Sequence, residues 1–186
     1  MDDEDKGTNP FLMLDYAAPQ HFTPNAGAPR GVGEHPHKGF ETVTIAYSGE
    51  VEHRDSTGGG GVIKQGDVQW MTAGAGVTHQ EFHSHEFSRS GGLFEMVQLW
   101  INLPAALKNT PPKYQHLAKE RIPVVNLGGG TARLIAGELD GVKGAASTFT
   151  PLNVWDVAIK QAGEISLKIP AGHNLTLVVL RGIVQI

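Results

Sequence analysis

Two short stretches hold the residues best placed to do chemistry: Glu34-His35-Pro36-His37-Lys38-Gly39-Phe40-Glu41 and, further along, His79-Gln80-Glu81. Side chains two apart on a strand point to one face, roughly 7 Å apart along it, so His-x-His and His-x-Glu each aim two donors in one direction. His35, His37, His79 and Glu81, carried on two facing strands, could converge on one divalent ion. Glu41 is a second candidate carboxylate. On a regular strand it shares a face with His37, where it could replace Glu81 as a ligand or orient a ligating histidine by accepting its other N–H. A lone His-x-His pair means little in a chain with nine histidines, which could equally hold two surface histidines in a proline turn. Two pairs in ordered context outweigh that reading. His83-Ser84-His85 has the same spacing, but it runs into Ser88-Arg89-Ser90-Gly91-Gly92 and reads as a solvated loop that could admit metal. His53, inside Glu52-His53-Arg54-Asp55, reads as part of an exposed, charged strand end. Trp70, Trp100 and Trp155 read as core.

Composition narrows the chemistry. With no cysteine in 186 residues there is no disulfide, no thiolate nucleophile and no sulfur ligand, so any metal is held by nitrogen and oxygen. No serine has the setting of a nucleophile elbow. The formal charge of −4 comes without a basic run, which argues against direct binding of nucleic acid. No apolar run is long enough to cross a bilayer, and Met1-Asp2-Asp3-Glu4-Asp5 is acidic where a secretory signal would be basic; a cytoplasmic location is the expectation.

The elements that must position these residues read as strands. The 24 glycines and 11 prolines imply many tight turns. Thr42-Val43-Thr44-Ile45-Ala46-Tyr47, Glu50-Val51-Glu52-His53 and Val68-Gln69-Trp70-Met71 are short β-branched or alternating runs, as in an antiparallel sandwich or barrel. Ser48-Gly49 reads as a hairpin turn between the first two, and Gly58-Gly59-Gly60-Gly61 as a mobile link. Neither this run nor Gly128-Gly129-Gly130 is a phosphate loop, since no helix start follows. Ala73-Gly74-Ala75-Gly76 is a turn that would set the register of His79. Pro104 through His116 reads as a connector, which divides the chain into residues 1–103, a connector over 104–130, and a second unit over 131–186. That unit weakly repeats the first: residues 43–51 overlie Thr176-Leu177-Val178-Val179-Leu180-Arg181-Gly182-Ile183-Val184, predicting a hairpin there. His35 and His37 then fall on Lys168 and Pro170, so only the first unit would hold metal.

The pattern His35-x-His37, Glu41, Gly49 and Gly76-x-x-His79 resembles the two short motifs of the cupin superfamily. Pro10-Phe11-Leu12-Met13-Leu14-Asp15, the run from His35 to Thr44, Glu52-His53-Arg54-Asp55-Ser56, the run from Gly66 to Gly74, and Gln98-Leu99-Trp100-Ile101-Asn102-Leu103-Pro104 together resemble the pirin family. That resemblance implies a bicupin, two stacked antiparallel β-barrels with iron in the first. Here it implies an all-β, jelly-roll type chain: a metal-binding barrel, and a second barrel that lacks metal ligands and is incomplete. It places the ligands on His35, His37, His79 and Glu81 and makes Glu41 an outer residue that supports them. The implied cofactor is Fe(II), with Mn, Ni, Zn or Cu as other candidates. The implied activity is that of a quercetin 2,3-dioxygenase, which opens a flavonol ring with O₂ and releases carbon monoxide, with Glu81 as proton acceptor. The alternative is a metal- or redox-dependent regulator acting through a protein partner. The family pattern also leads one to expect a strand ahead of Pro10 and further strands after Ile186; a second copy supplying the latter would make a homo-oligomer.

Overall fold

A computed structural model describes residues 7–186, so the acidic stretch at residues 1–5 lies outside the described residues. Nine strands build a sandwich of two antiparallel sheets. β1 (Phe11–Phe22), β8 (Gly92–Asn102), β3 (Phe40–Ser48), β6 (Val68–Thr72) and β9 (Lys113–Leu117) form one sheet in that spatial order. β2 (Gly31–His37), β7 (Val77–His83), β4 (Val51–Asp55) and β5 (Gly60–Ile63) form the other. A short helix, α1 (His85–Ser90), carries the chain from β7 to β8. Its N-terminus is capped by Ser84 Oγ, which accepts from the Phe87 amide at 3.0 Å.

Most connections cross between the sheets, although β4 folds back directly on β5. β3 and β4 belong to different sheets, so Ser48-Gly49 is a corner and not the hairpin turn its residues suggested. Gly49 has φ +81°, and a Cβ there would come within 2.7 Å of the Phe94 ring. The glycines read as a mobile link are likewise ordered. Gly60 and Gly61 are the first residues of β5, opposite Arg54 and His53, and a Cβ on Gly60 would lie 2.4 Å from the His53 carbonyl oxygen. Glycine is required here because β5 lies so close on β4.

The inner strands β3 and β6 of the five-stranded sheet are buried on both faces. One face packs on a second, smaller assembly: a sheet of β10 (Val124–Asn126), β11 (Gly130–Ala136) and β14 (Val154–Ile159), with the two-stranded ribbon β12 (Glu138–Leu139) and β13 (Val142–Lys143). Val43, Val68, Trp70, Leu99 and Ile101 share one apolar core with Ile135, Leu152 and Val154. The connector reading of 104–130 thus needs correcting at its centre, because β9 pairs with β6 and completes the first sheet. The hairpin expected over residues 176–184 is not formed. Residues 160–186 contain no strand, and Leu175, Leu177 and Ile183 are exposed; without a neighbouring strand the alternation has nothing to pair with.

Candidate metal centre

The four-stranded sheet places the histidines. β2 pairs with β7 so that His35 lies directly opposite His79, and β4 continues the row with Asp55 beside His79. Two residues along β7, Glu81 lies between Val32 and His53. The side chains of His35, His79, Asp55, His53 and Glu81 turn inward, towards the five-stranded sheet, while Val32, beyond a register shift in β2, is exposed. His35, His37 and His79 each bring one ring nitrogen to within 4.8 Å of the others. The rings meet at centroid separations of 4.4 to 4.8 Å.

Each ring is tied in a way that bears on ligation. His35 Nδ1 donates to the Gly33 carbonyl at 2.7 Å, which leaves its lone pair on Nε2. His79 Nδ1 contacts His53 Nδ1 at 3.2 Å, and His79 Nε2 is buried with no protein partner. Burial, and secondarily repulsion from His35, lowers the His37 pKa to about 4. Burial, then repulsion from His53, His35 and His37, lowers that of His79 to about 3. Both rings are therefore neutral at physiological pH, the form in which imidazole ligates. A buried ring nitrogen without a partner, at the point where three imidazoles converge, fits a divalent cation and suits no apolar contact.

Glu81 is close by but turned aside. Its carboxylate groups with His53 and His79 rather than with His35 and His37. It reaches across the sandwich, where Oε1 accepts from Thr44 Oγ1 at 3.2 Å and Gln69 Nε2 at 2.7 Å, and Oε2 accepts from Gln98 Nε2 at 2.8 Å. Gln69 is itself oriented by Tyr114, whose hydroxyl donates to Gln69 Oε1 at 3.2 Å. Burial, with repulsion from nearby carboxylates, raises the Tyr114 pKa to about 12, which keeps that donor protonated.

Glu41 does not support the cluster. Its Oε1 accepts from Trp70 Nε1 at 3.0 Å and Thr72 Oγ1 at 2.7 Å, on the face of the sheet that meets the second assembly. Thr44, which bonds Glu81, lies an odd number of residues from Glu41 on the same strand and so on the other face. The expectation failed because the chain changes sheets at Lys38-Gly39, so parity counted from His37 does not carry across the corner.

Two other readings change. His53 is fully buried, its Nε2 bonded to Asp55 Oδ2 at 3.1 Å and its ring stacked on Tyr114 at 5.0 Å. Its alternation with Val51 could have signalled this; Glu52 and Arg54, which pair with each other on the outer face, masked it. His83 is no loop residue either: it ends β7, wedged among Phe22, Phe87 and Phe94, and only His85 is exposed. Beside the cluster, Phe40 and Trp100 pack on His37 at 5.0 and 5.3 Å and form an aromatic wall. Two open surface grooves of about 480 and 490 Å³, lined by Gln115, Arg121 and Lys143 and by Asn25, His85 and Arg89, lie apart from these residues and, among the described residues, hold no convergent ligand set.

A family profile described as Pirin matches residues 2–101. A Pseudomonas aeruginosa protein named "Putative quercetin 2,3-dioxygenase PA2418" is 55% identical over 176 residues, covering 94% of this chain and 61% of the relative. The Mus musculus protein named "Pirin" is 36% identical over 182 residues, covering 97% of this chain and 59% of the relative. This chain therefore spans about three-fifths of the length of either. A crystal structure described as quercetin 2,3-dioxygenase from Acinetobacter baumannii superposes with a TM-score of 0.79 at 62% identity, covering 83% of this chain and 54% of that one.

Proposed function

The chain belongs to the pirin family, and from that premise we propose that it is a metal-dependent dioxygenase of the quercetin 2,3-dioxygenase kind, taking a flavonol and O₂. The observation that carries this reading is the trio His35, His37 and His79, with a buried His79 Nε2 left free. We assign the divalent ion, Fe(II) by preference, to these three imidazoles, with Glu81 as the fourth donor once its side chain turns from the opposite sheet. Such an ion would supply Lewis acidity that acidifies a flavonol hydroxyl, together with a redox partner for O₂.

The remaining work falls to the chain's own side chains. Phe40 and Trp100, packed on His37 with their planes 38° apart, offer an apolar aromatic wall for an aromatic ring system. Glu81 is the proton acceptor: the flavonol 3-hydroxyl proton passes to Oε2, the oxygen now bonded by Gln98. Gln69 and Thr44, both on Oε1, keep the carboxylate within the sandwich while Oε2 is engaged. The closeness of two relatives named as quercetin 2,3-dioxygenases supports the substrate class.

Elemental analysis of the purified chain, followed by oxygen uptake with quercetin, tests the reading. A bound divalent metal, with O₂ consumed and carbon monoxide released, is expected. Metal-loaded protein that consumes no O₂ with any flavonol would remove the enzymatic assignment.

A further inference from the structure

We propose that Asp55 and His53 form a positioning pair that fixes the tautomer of His79 and so sets the affinity of the imidazole cluster for its metal; this deepens the metal reading above and rests on it. An ionised carboxylate can only accept, so the 3.1 Å bond to Asp55 Oδ2 is donated by His53 Nε2. In the neutral ring Nδ1 is then an acceptor, and the 3.2 Å contact between the two Nδ1 atoms is donated by His79. That leaves the His79 lone pair on Nε2, the buried atom without a protein partner. In the opposite tautomer Nε2 would present an N–H to the cluster and could not ligate. His35 follows the same rule, with Nδ1 committed to the Gly33 carbonyl.

The pair is held from several sides. Asp55 Oδ1 accepts from the Thr57 hydroxyl at 2.6 Å and from the Thr57 and Gly59 amides at 2.8 and 3.0 Å, which aims Oδ2 at His53. A Cβ on Gly59 would approach Asp55 Oδ2 to 2.5 Å, so the turn is bare where it wraps the carboxylate. Tyr114 stacks on the His53 ring with planes 23° apart, and the β5 backbone presses on the His53 carbonyl. A surface histidine needs none of this enclosure. A carboxylate–histidine relay behind a ligand is how outer groups fix the orientation and basicity of a metal-bound imidazole.

Ring-nitrogen NMR on the metal-free chain, labelled at histidine, reads the tautomers directly. His79 protonated on Nδ1 and His53 protonated on Nε2 are expected. In Asp55→Asn and His53→Ala, His79 should lose its single tautomer, and affinity for Zn(II) or anaerobic Fe(II), measured by chelator competition, should fall ~10–100-fold. Added imidazole should restore binding to His53→Ala; Asp55→Asn, nearly isosteric, serves if that variant does not fold. Wild-type His79 protonated on Nε2, or variants with wild-type melting and wild-type metal affinity, would overturn the relay alone. Wild-type protein that binds neither ion would overturn the metal reading, and the relay with it.

Discussion

Among individual residues, Glu81 is the one whose present contacts and proposed role pull in different directions. Three donors hold it against the far sheet, while a fourth ligand position requires it to turn back. A hydrogen bond to a charged group is worth about 1.5–3 kcal/mol, comparable to a tenfold to hundredfold change in binding. Gln98→Leu removes the donor to Oε2 and leaves that oxygen facing an apolar side chain, so the carboxylate should move to the imidazoles. Tighter divalent-metal binding with slower turnover is expected, read by chelator competition and oxygen uptake. Weaker binding would instead mean that Gln98 holds Glu81 in its ligating pose. His35, His37 and His79 were legible in the sequence because their spacing survives within single strands that pair in register. His53 was not, because a charged residue on each side disguises an inward-facing position on a half-buried strand. Glu41 misled because counting by twos holds only until the chain turns a corner.

Among elements, the β5–β6 turn and β9 show how a segment with the residues of a connector becomes part of the sheet. Asp67 accepts from the Lys64 amide at 3.0 Å, the Lys119 amide at 2.9 Å and His116 Nε2 at 3.2 Å, tying the turn before β6 to the C-terminal end of β9 and the residues just after it. Burial alone would raise its pKa, but these bonds more than offset that and hold the carboxyl below its ordinary value. A carboxyl depressed in the folded state contributes stability that is complete above its unfolded pKa, ~4, and is lost as pH falls through the folded value. Urea titrations from neutral pH to about pH 3 should therefore show Asp67→Asn destabilised at neutral pH by roughly 1–3 kcal/mol, with a flatter acid limb than wild type. Identical acid limbs would show that Asp67 is not the group responsible. Proline content hid β9, since Pro104, Pro111 and Pro112 all precede Lys113 and none occupies a ladder position. The strand-like alternation in residues 176–184 was real, but alternation supplies one strand's half of a ladder.

Over the whole molecule, the two assemblies share a core rather than meet across a linker. Trp70 and Ile101 of the first pack with Ile135 and Val154 of the second, Tyr47 bonds Asp156 across the junction at 3.2 Å, and Arg133, paired with Asp156 within the second sheet, donates across to the Gly66 carbonyl. Ile135 is fully buried, so Ile135→Ala should cost about 2–5 kcal/mol. Because the core is common, it should lower the melting of both sheets together: tryptophan fluorescence and far-UV circular dichroism should trace one coincident transition. Two separated transitions would mean that the units unfold independently. The sandwich class followed from strand spacing, whereas this shared core did not, because which faces meet depends on strand order that no local pattern encodes.

Tyr114 brings these levels together, since it lies on β9, beyond the prolines, yet covers His53 and steers Gln69. For recombination between related genes, the proline-rich stretch before Lys113 is thus a poor place to exchange partners: a crossover there would give the histidine cluster a lid inherited from another parent, while one beyond Leu117 passes on the cluster and its lid as a single heritable block.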